Sequence, residues 1–110
     1  KRRYSKTISQ CCDYIFAHLH QRVDLSALAE LTGFSPHYLS LRFRNETGQS
    51  IPLYVQTEKI REAKALLSFS RYNLVEISNI LSFSSQSYFS TVFRQHTGMT
   101  PQKYRETYCN

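Results

Sequence analysis

The chain has 110 residues, 41% hydrophobic and 14% aromatic, with three glycines and three prolines. That suits one compact domain, or two very small subdomains on one scaffold, and excludes a long disordered tract. The formal net charge of +6 suits a polyanionic partner, while no window approaches the roughly 18 apolar residues of a membrane helix.

The opening Lys1-Arg2-Arg3 is not followed by an apolar run with a cleavage site, so no signal peptide is expected. It reads instead as linker or as an added phosphate contact. From about Ser5 to His20, apolar residues at Ile8, Cys11, Cys12, Ile15, Phe16 and Leu19 draw one stripe down a helix. A short helix is expected over about Leu25 to Thr32, with Asp24 as its N-cap and Leu25, Leu28, Ala29 and Leu31 as packing residues. Gly33 stops it, because Gly adopts the left-handed conformation cheaply. Phe34 is an apolar plug. Ser35 and Pro36 then open a helix carrying Leu39 and Phe43 and ending at Gly48.

Ser50 and Pro52 mark the next start. A longer helix runs to about Ser68 with Leu53, Ile60, Ala63 and Leu67 on one face; at about 1.5 Å per residue it is a rod of roughly 25 Å. The pattern then begins again. A short helix covers about Leu74 to Leu81, Phe83 is the plug, and Ser84 or Ser85 caps a helix that holds Phe89 and Phe93 and ends at Gly98. Thr100 and Pro101 open a last short helix containing Tyr104.

The repeat can be read residue by residue. Leu25, Leu28, Leu31 and Phe34 match Leu74, Ile77, Ile80 and Phe83 at an offset of 49. Tyr38, Ser40, Phe43, Arg44, Thr47, Gly48, Ser50 and Tyr54 match Tyr88, Ser90, Phe93, Arg94, Thr97, Gly98, Thr100 and Tyr104 at an offset of 50, so the second turn holds one extra residue. Two copies of one supersecondary unit are therefore expected, joined by the middle helix. No period-two pattern lasts long enough for a sheet. The expected fold is all-α: two helix-turn-helix subdomains, 5–50 and 72–107, joined by a long linker helix over 51–68, with about seven helices across 1–110.

In a helix-turn-helix, the second helix lies in the DNA major groove, with its N-terminal residues at base edges. The groove is about 12 Å wide and admits one helix. With Leu39 and Phe43 buried, His37, Ser40, Leu41 and Arg44 project outward. With Phe89 and Phe93 buried, Gln86, Ser87, Ser90, Thr91 and Arg94 do. Gln pairs bidentately with adenine, Ser and Thr are adaptable, and Leu41 or Thr91 can touch a thymine methyl. Arg44 and Arg94 lie further along and suit phosphate.

At this point the sequence resembles the DNA-binding domain of AraC/XylS-type transcription regulators. The likeness covers nearly the whole chain. It runs through LSALAELTGFSPHYLSLRFRNETGQSIPLYV, KIREAKALL and VEISNILSFSSQSYFSTVFRQHTGMTPQKYR. Phe93, Arg94, Gly98, Thr100, Pro101, Tyr104 and Arg105 match the closing pattern of the family. The resemblance implies seven helices and two recognition helices in successive major grooves, so that one chain covers an asymmetric site. It also implies the bacterial cytoplasm and regulation of promoters, usually activation through RNA polymerase. Many members carry a separate ligand-sensing or dimerisation domain, usually before this one, so the chain reads as a fragment of a longer regulator. Five positions depart from the family pattern. Leu41 and Thr91 stand where Arg is frequent, Arg42 where an apolar residue is usual, Lys59 where Arg is typical, and Ser82 where Gly is usual. Ser82 makes the second turn a place for strain or a shift. The base-reading candidates are His37, Ser40 and Leu41 in the first copy and Gln86, Ser87 and Thr91 in the second. The phosphate candidates are Ser35, Arg42, Arg44, Ser85 and Arg94.

Other functions fit less well. His18 and His20 are two apart and point in different directions on a helix, so they make a poor metal pair. Cys11, Cys12 and Cys109 form no C-x-x-C pair, which argues against a zinc site and a disulfide framework and favours a reducing cytosol. Cys11 and Cys12 read as small core residues. No nucleophile elbow, phosphate loop or paired-carboxylate signature is visible, so neither catalysis nor a cofactor is expected. An interaction module for protein or RNA is the other rival. The repeated tyrosines, Tyr38, Tyr54, Tyr88 and Tyr104, are explained more simply by packing than by base stacking, and the narrow major groove of duplex RNA excludes a helix.

Overall fold

A computed structural model describes residues 3–109; Lys1 and Arg2, part of the proposed basic start, lie outside the described residues. Seven helices and no strand occur among the described residues: α1 (Lys6–Ala17), α2 (Leu25–Thr32), α3 (Pro36–Thr47), α4 (Ile51–Phe69), α5 (Leu74–Ile80), α6 (Gln86–Thr97) and α7 (Pro101–Tyr108). No helix among them is long and apolar enough to cross a membrane. The chain divides into two compact units between Gln56 and Thr57, inside α4. The middle helix is therefore not a free-standing linker, because each unit takes part of it into its own core.

Short polar side chains start the helices. The side chains of Ser5, Asp24, Ser35, Asn73, Ser85 and Thr100 each accept a backbone N–H from the first turn that follows. Ser50 does the same for Leu53 at the head of α4. Each such bond satisfies one of the N–H groups that a helix start leaves without a partner. Asn73 and Glu76 complete a reciprocal capping box at α5.

In the first unit, Ile8, Cys11, Ile15 and Leu19 from the α1 segment meet Leu28 and Ala29 of α2, Leu39 and Phe43 of α3, and Ile51 and Val55 of α4. In the second, Ile60, Ala63 and Leu67 of α4 meet Ile77, Leu81, Phe89, Val92 and Phe93. The spacing of Ile8, Cys11 and Ile15 equals that of Ile60, Ala63 and Leu67. The repeat thus extends beyond the helix-turn-helix: the later part of α4 serves the second unit as α1 serves the first. Each unit closes with the same ring contact. Phe43 and Tyr54 meet edge to face at 5.2 Å, and Phe93 and Tyr104 at 5.4 Å. Burial pushes the Cys11 thiol up to about 11, so it acts as a small core residue, and Cys12 packs half-buried beside it.

Three residues placed in the expected core lie outside it. Phe16 is 67% exposed and Leu53 is 42% exposed, and Leu31 is exposed as well, at 39%. For Leu53 the reason is the divided helix. The first unit takes Ile51 and Val55 rather than a continuation of the Ile60–Leu67 face. For Phe16, the stripe through Ile8, Cys11, Ile15 and Leu19 is already complete at three- and four-residue spacing. Leu31 follows Leu28 and Ala29, which supply the buried face of the short α2.

The two turns differ. Gly33 ends α2 in the left-handed region at φ 78°. In the second unit α5 ends at Leu81, and Ser82 takes the left-handed conformation at φ 59°. Among the described residues it is the only non-glycine with positive φ. The departure noted in the sequence is therefore a strained position, with a cost on the order of 1 kcal/mol or more. Ser82→Gly should raise the unfolding free energy by about 0.5–1 kcal/mol, since glycine removes the strain but loses more entropy on folding. Chemical denaturation of the two proteins checks this, and an unchanged midpoint would mean the turn is relaxed with serine.

Candidate nucleic-acid interface

The second helix of each pair is set by its start and its buried face. At α3, Tyr38 N donates to Ser35 Oγ at 3.2 Å and Leu39 N to Ser35 O at 2.9 Å. At α6, Tyr88 N donates to Ser85 Oγ at 3.0 Å and Phe89 N to Ser85 O at 3.0 Å. Neither helix has an acidic residue in its first turn. The positive end of each helix dipole therefore meets solvent without a compensating carboxylate, a setting that favours phosphate or a base acceptor. Leu39 and Phe43 hold the inner face of α3; Phe89, Val92 and Phe93 hold that of α6.

The opposite faces carry the expected residues. His37, Leu41 and Arg44 are exposed on α3, with Ser35 exposed at its head; Ser40 is half-buried at the edge. Gln86, Ser87, Thr91 and Arg94 are exposed on α6, with Ser85 at its head. Each unit thus gathers its own candidates on one helix. Four further residues belong to these surfaces. Tyr38 and Tyr88 are each 48% exposed at matching positions, despite touching Phe34 and Phe83. Packing, expected for all four repeated tyrosines, accounts fully only for Tyr54 and Tyr104. Asn45 and Gln95, also a matching pair, are exposed one turn beyond Leu41 and Thr91. Their signal in the sequence was a polar amide at both copies of an outward position.

Arg42 is placed differently from the other phosphate candidates. Its Nε donates to Glu46 Oε2 at 2.7 Å and its Nη1 to the Tyr38 hydroxyl at 3.3 Å. Glu46 in turn accepts from Ser5 N at 2.8 Å and Ser5 Oγ at 2.9 Å. The guanidinium is thus bound along its own helix, in a chain of contacts that ties the head of α1 to α3. The apolar counterpart of Arg42 is Val92, which is buried.

Two basic residues brace the second unit from behind. Lys59 is buried, and its Nζ donates to Leu81 O at 2.6 Å while lying 5.7 Å from the Phe83 ring centre. Burial lowers its pKa from the ordinary lysine value. Its bond holds the carbonyl just before Ser82, so the lysine supports the strained turn. Arg105 donates to four carbonyls: Leu67 at 3.0 Å, Tyr72 at 2.6 Å, Leu66 at 3.3 Å and Ser70 at 3.2 Å. These belong to the end of α4 and the segment after it, where a helix leaves carbonyls without partners.

Two compact units, each offering a helix-turn-helix second helix with a polar, acid-free outer end, define a tandem helix-turn-helix protein. The helix-turn-helix domain family matches residues 28–107. A helix-turn-helix-type transcriptional regulator of Staphylococcus aureus (strain MSSA476) is 34% identical over 98 residues, 89% of this chain and 13% of that protein. The C-terminal domain of AraT, a response regulator from Geobacillus stearothermophilus, superposes with a TM-score of 0.93 at 30% identity, covering 98% of this chain and 90% of that one. The DNA-binding domain of AdpA, a global transcriptional factor solved with a target DNA, gives 0.89 at 28% identity over 94% of each chain. The chain belongs to the AraC-type helix-turn-helix family of transcription regulators. It spans about an eighth of the length of the first staphylococcal relative.

The Ser5 backbone N–H, foremost, and Arg42 lower the Glu46 pKa. A carboxyl whose pKa falls on folding contributes stability above its unfolded value and loses it as pH drops through the folded value. The wild type should therefore lose stability relative to Glu46→Gln as pH falls through and below the ordinary carboxylate range. Denaturation midpoints of both proteins across that range check it; parallel curves would mean the Ser5–Glu46–Arg42 chain carries no net energy.

Proposed function

We propose that the chain is the sequence-reading part of a bacterial transcription regulator, binding double-stranded promoter DNA with α3 and α6 in successive major grooves. The observation that carries this reading is the duplication: two units bury the same face of the second helix and expose the matching face, with an acid-free N-terminus each time. The DNA complex of the related AdpA domain supports it. The net charge of +6 supplies the sequence-independent attraction.

On this reading His37, Ser40 and Leu41 face base edges in one groove, and Gln86, Ser87 and Thr91 in the other. Ser35, Ser85, Arg44 and Arg94 take phosphates. Arg42 leaves the phosphate set, because Glu46 and Tyr38 hold its guanidinium; it fixes Tyr38 instead. The protein works in the cytoplasm, and contact with RNA polymerase, with activation as the outcome, follows from the family resemblance. A sensor or dimerisation domain elsewhere in a longer regulator would control it.

Selection of the purified chain on random duplexes tests the proposal. Two unlike half-sites about one helical turn apart are expected; salt-sensitive binding without an enriched sequence would refute groove reading. On the selected site, Arg94→Ala should weaken binding to every duplex about equally and lower the slope of log K against log salt by about one. A loss confined to one sequence would instead make Arg94 a base reader.

A further inference from the structure

We infer that each unit reads the 5-methyl group of a pyrimidine with the residue at the centre of its outward helix face, Leu41 in one unit and the methyl of Thr91 in the other. This rests on the reading that α3 and α6 enter major grooves, and adds to it the chemical group at the middle of each contact. Residue 41 lies two positions from both Leu39 and Phe43, so it is turned roughly 200° from each buried neighbour. Thr91 stands in the same relation to Phe89 and Phe93. These are the positions that point most directly away from the core.

Leu41 is 50% exposed. One exposed leucine means little by itself; its counterpart gives it meaning. The Thr91 hydroxyl donates to Ser87 O at 3.1 Å. Its proton is engaged by the helix backbone, so Thr91 is no donor for the groove acceptors, guanine N7 and O6, adenine N7 and thymine O4. What it presents is a methyl group and an oxygen that can only accept. Both copies therefore put an aliphatic group at the same point of the outer face. Around it stand His37, Tyr38, Arg44 and Asn45 in one unit, and Ser87, Tyr88, Arg94 and Gln95 in the other. One aliphatic group beside a half-exposed tyrosine is far below the area that docks a protein. It matches the one apolar feature of a base-pair edge in the major groove, the thymine C5-methyl. 5-Methylcytosine carries the same group, and Leu41, which forms no hydrogen bond through its side chain, has no means of telling the two pyrimidines apart. The site is thus sensitive to cytosine methylation where cytosine replaces thymine.

The test uses the selected duplex. Each thymine is replaced singly by deoxyuridine, which removes only the methyl, and binding is titrated. One position in each half-site should lose affinity about three- to fivefold, the scale of one buried methyl group. The loss at one position should vanish in Leu41→Ala. The loss at the other should vanish in Thr91→Ser and persist in Thr91→Val, which keeps a methyl group. Placing cytosine and then 5-methylcytosine at these positions should recover a similar factor. Circular dichroism and thermal melting confirm that the variants, all at exposed positions, are folded. A flat deoxyuridine scan on a selected site would overturn the methyl contact and leave groove reading intact. So would strong loss of binding in Thr91→Val with Thr91→Ser unaffected, which would assign the hydroxyl. If no site is selected at all, groove reading falls and the methyl contact falls with it.

Discussion

The rotation of one helix about its own axis governs everything else in each unit. Phe43 and Phe93 fix that rotation. Each is fully buried, and each is held edge to face by a tyrosine from the helix that follows, Tyr54 or Tyr104. An edge-to-face aromatic pair contributes about 0.5–1.5 kcal/mol beyond its burial and has a preferred geometry. A slip of one residue would turn the outer face by roughly 100° and replace Leu41 at its centre with a neighbour. The identity of the outward-facing residues is therefore decided in the core, by buried side chains.

The units reach this common geometry with different supports. In the first, a glycine makes the turn, and the Ser5–Glu46–Arg42 chain ties the head of α1 to α3. In the second, a serine makes the turn under strain. Lys59 then holds the preceding carbonyl, and Arg105 gathers the carbonyls at the end of α4. The counterpart of Arg105 is Val55, buried in the first core. Cations thus serve as braces in one place and as an exposed surface in another, and the net charge overstates what is available to a polyanion. Arg42, Lys59 and Arg105 are three basic residues already engaged by the protein itself.

Much of this could be read from the residues alone. The apolar spacing placed the helices to within a few residues, and the offsets of 49 and 50 revealed the duplication. Ser82, out of step with Gly33, pointed to the turn that proved strained. What periodicity missed was division of labour. Periodicity alone puts Leu53 on one stripe with Ile60, Ala63 and Leu67, but the helix belongs to two cores in turn. Phe16 and Leu31 fitted a helical period, but α1 and α2 already had enough buried positions without them. The role of Arg105 depends on carbonyls 33 to 39 residues away along the chain, and the anchoring of Glu46 depends on Ser5, 41 residues away. No local pattern encodes those distant contacts, whereas the Arg42–Glu46 pair at i, i+4 spacing is visible in the sequence. The outward position of Thr91 is legible in the sequence, but the bond from its hydroxyl to Ser87 O emerges only from side-chain geometry.

The matched and unmatched positions have different consequences for specificity. Leu41 and Thr91 present the same apolar chemistry, and Arg44 and Arg94 the same charge, so the middle and later parts of the two outer faces are alike. Their first turns are not: Pro36 and His37 stand opposite Gln86 and Ser87. On the proposed function, the helix starts are what reach the base edges most directly, and these carry the difference between half-sites. Each unit alone offers only a few base contacts, each worth about 1–3 kcal/mol at best. Covalent linkage through α4 makes the second engagement intramolecular, which strengthens binding without any new contact. Two modest and unequal readers joined in this way suit an asymmetric site, because the order of the units on the DNA follows from the difference between their first turns and needs no second copy of the chain.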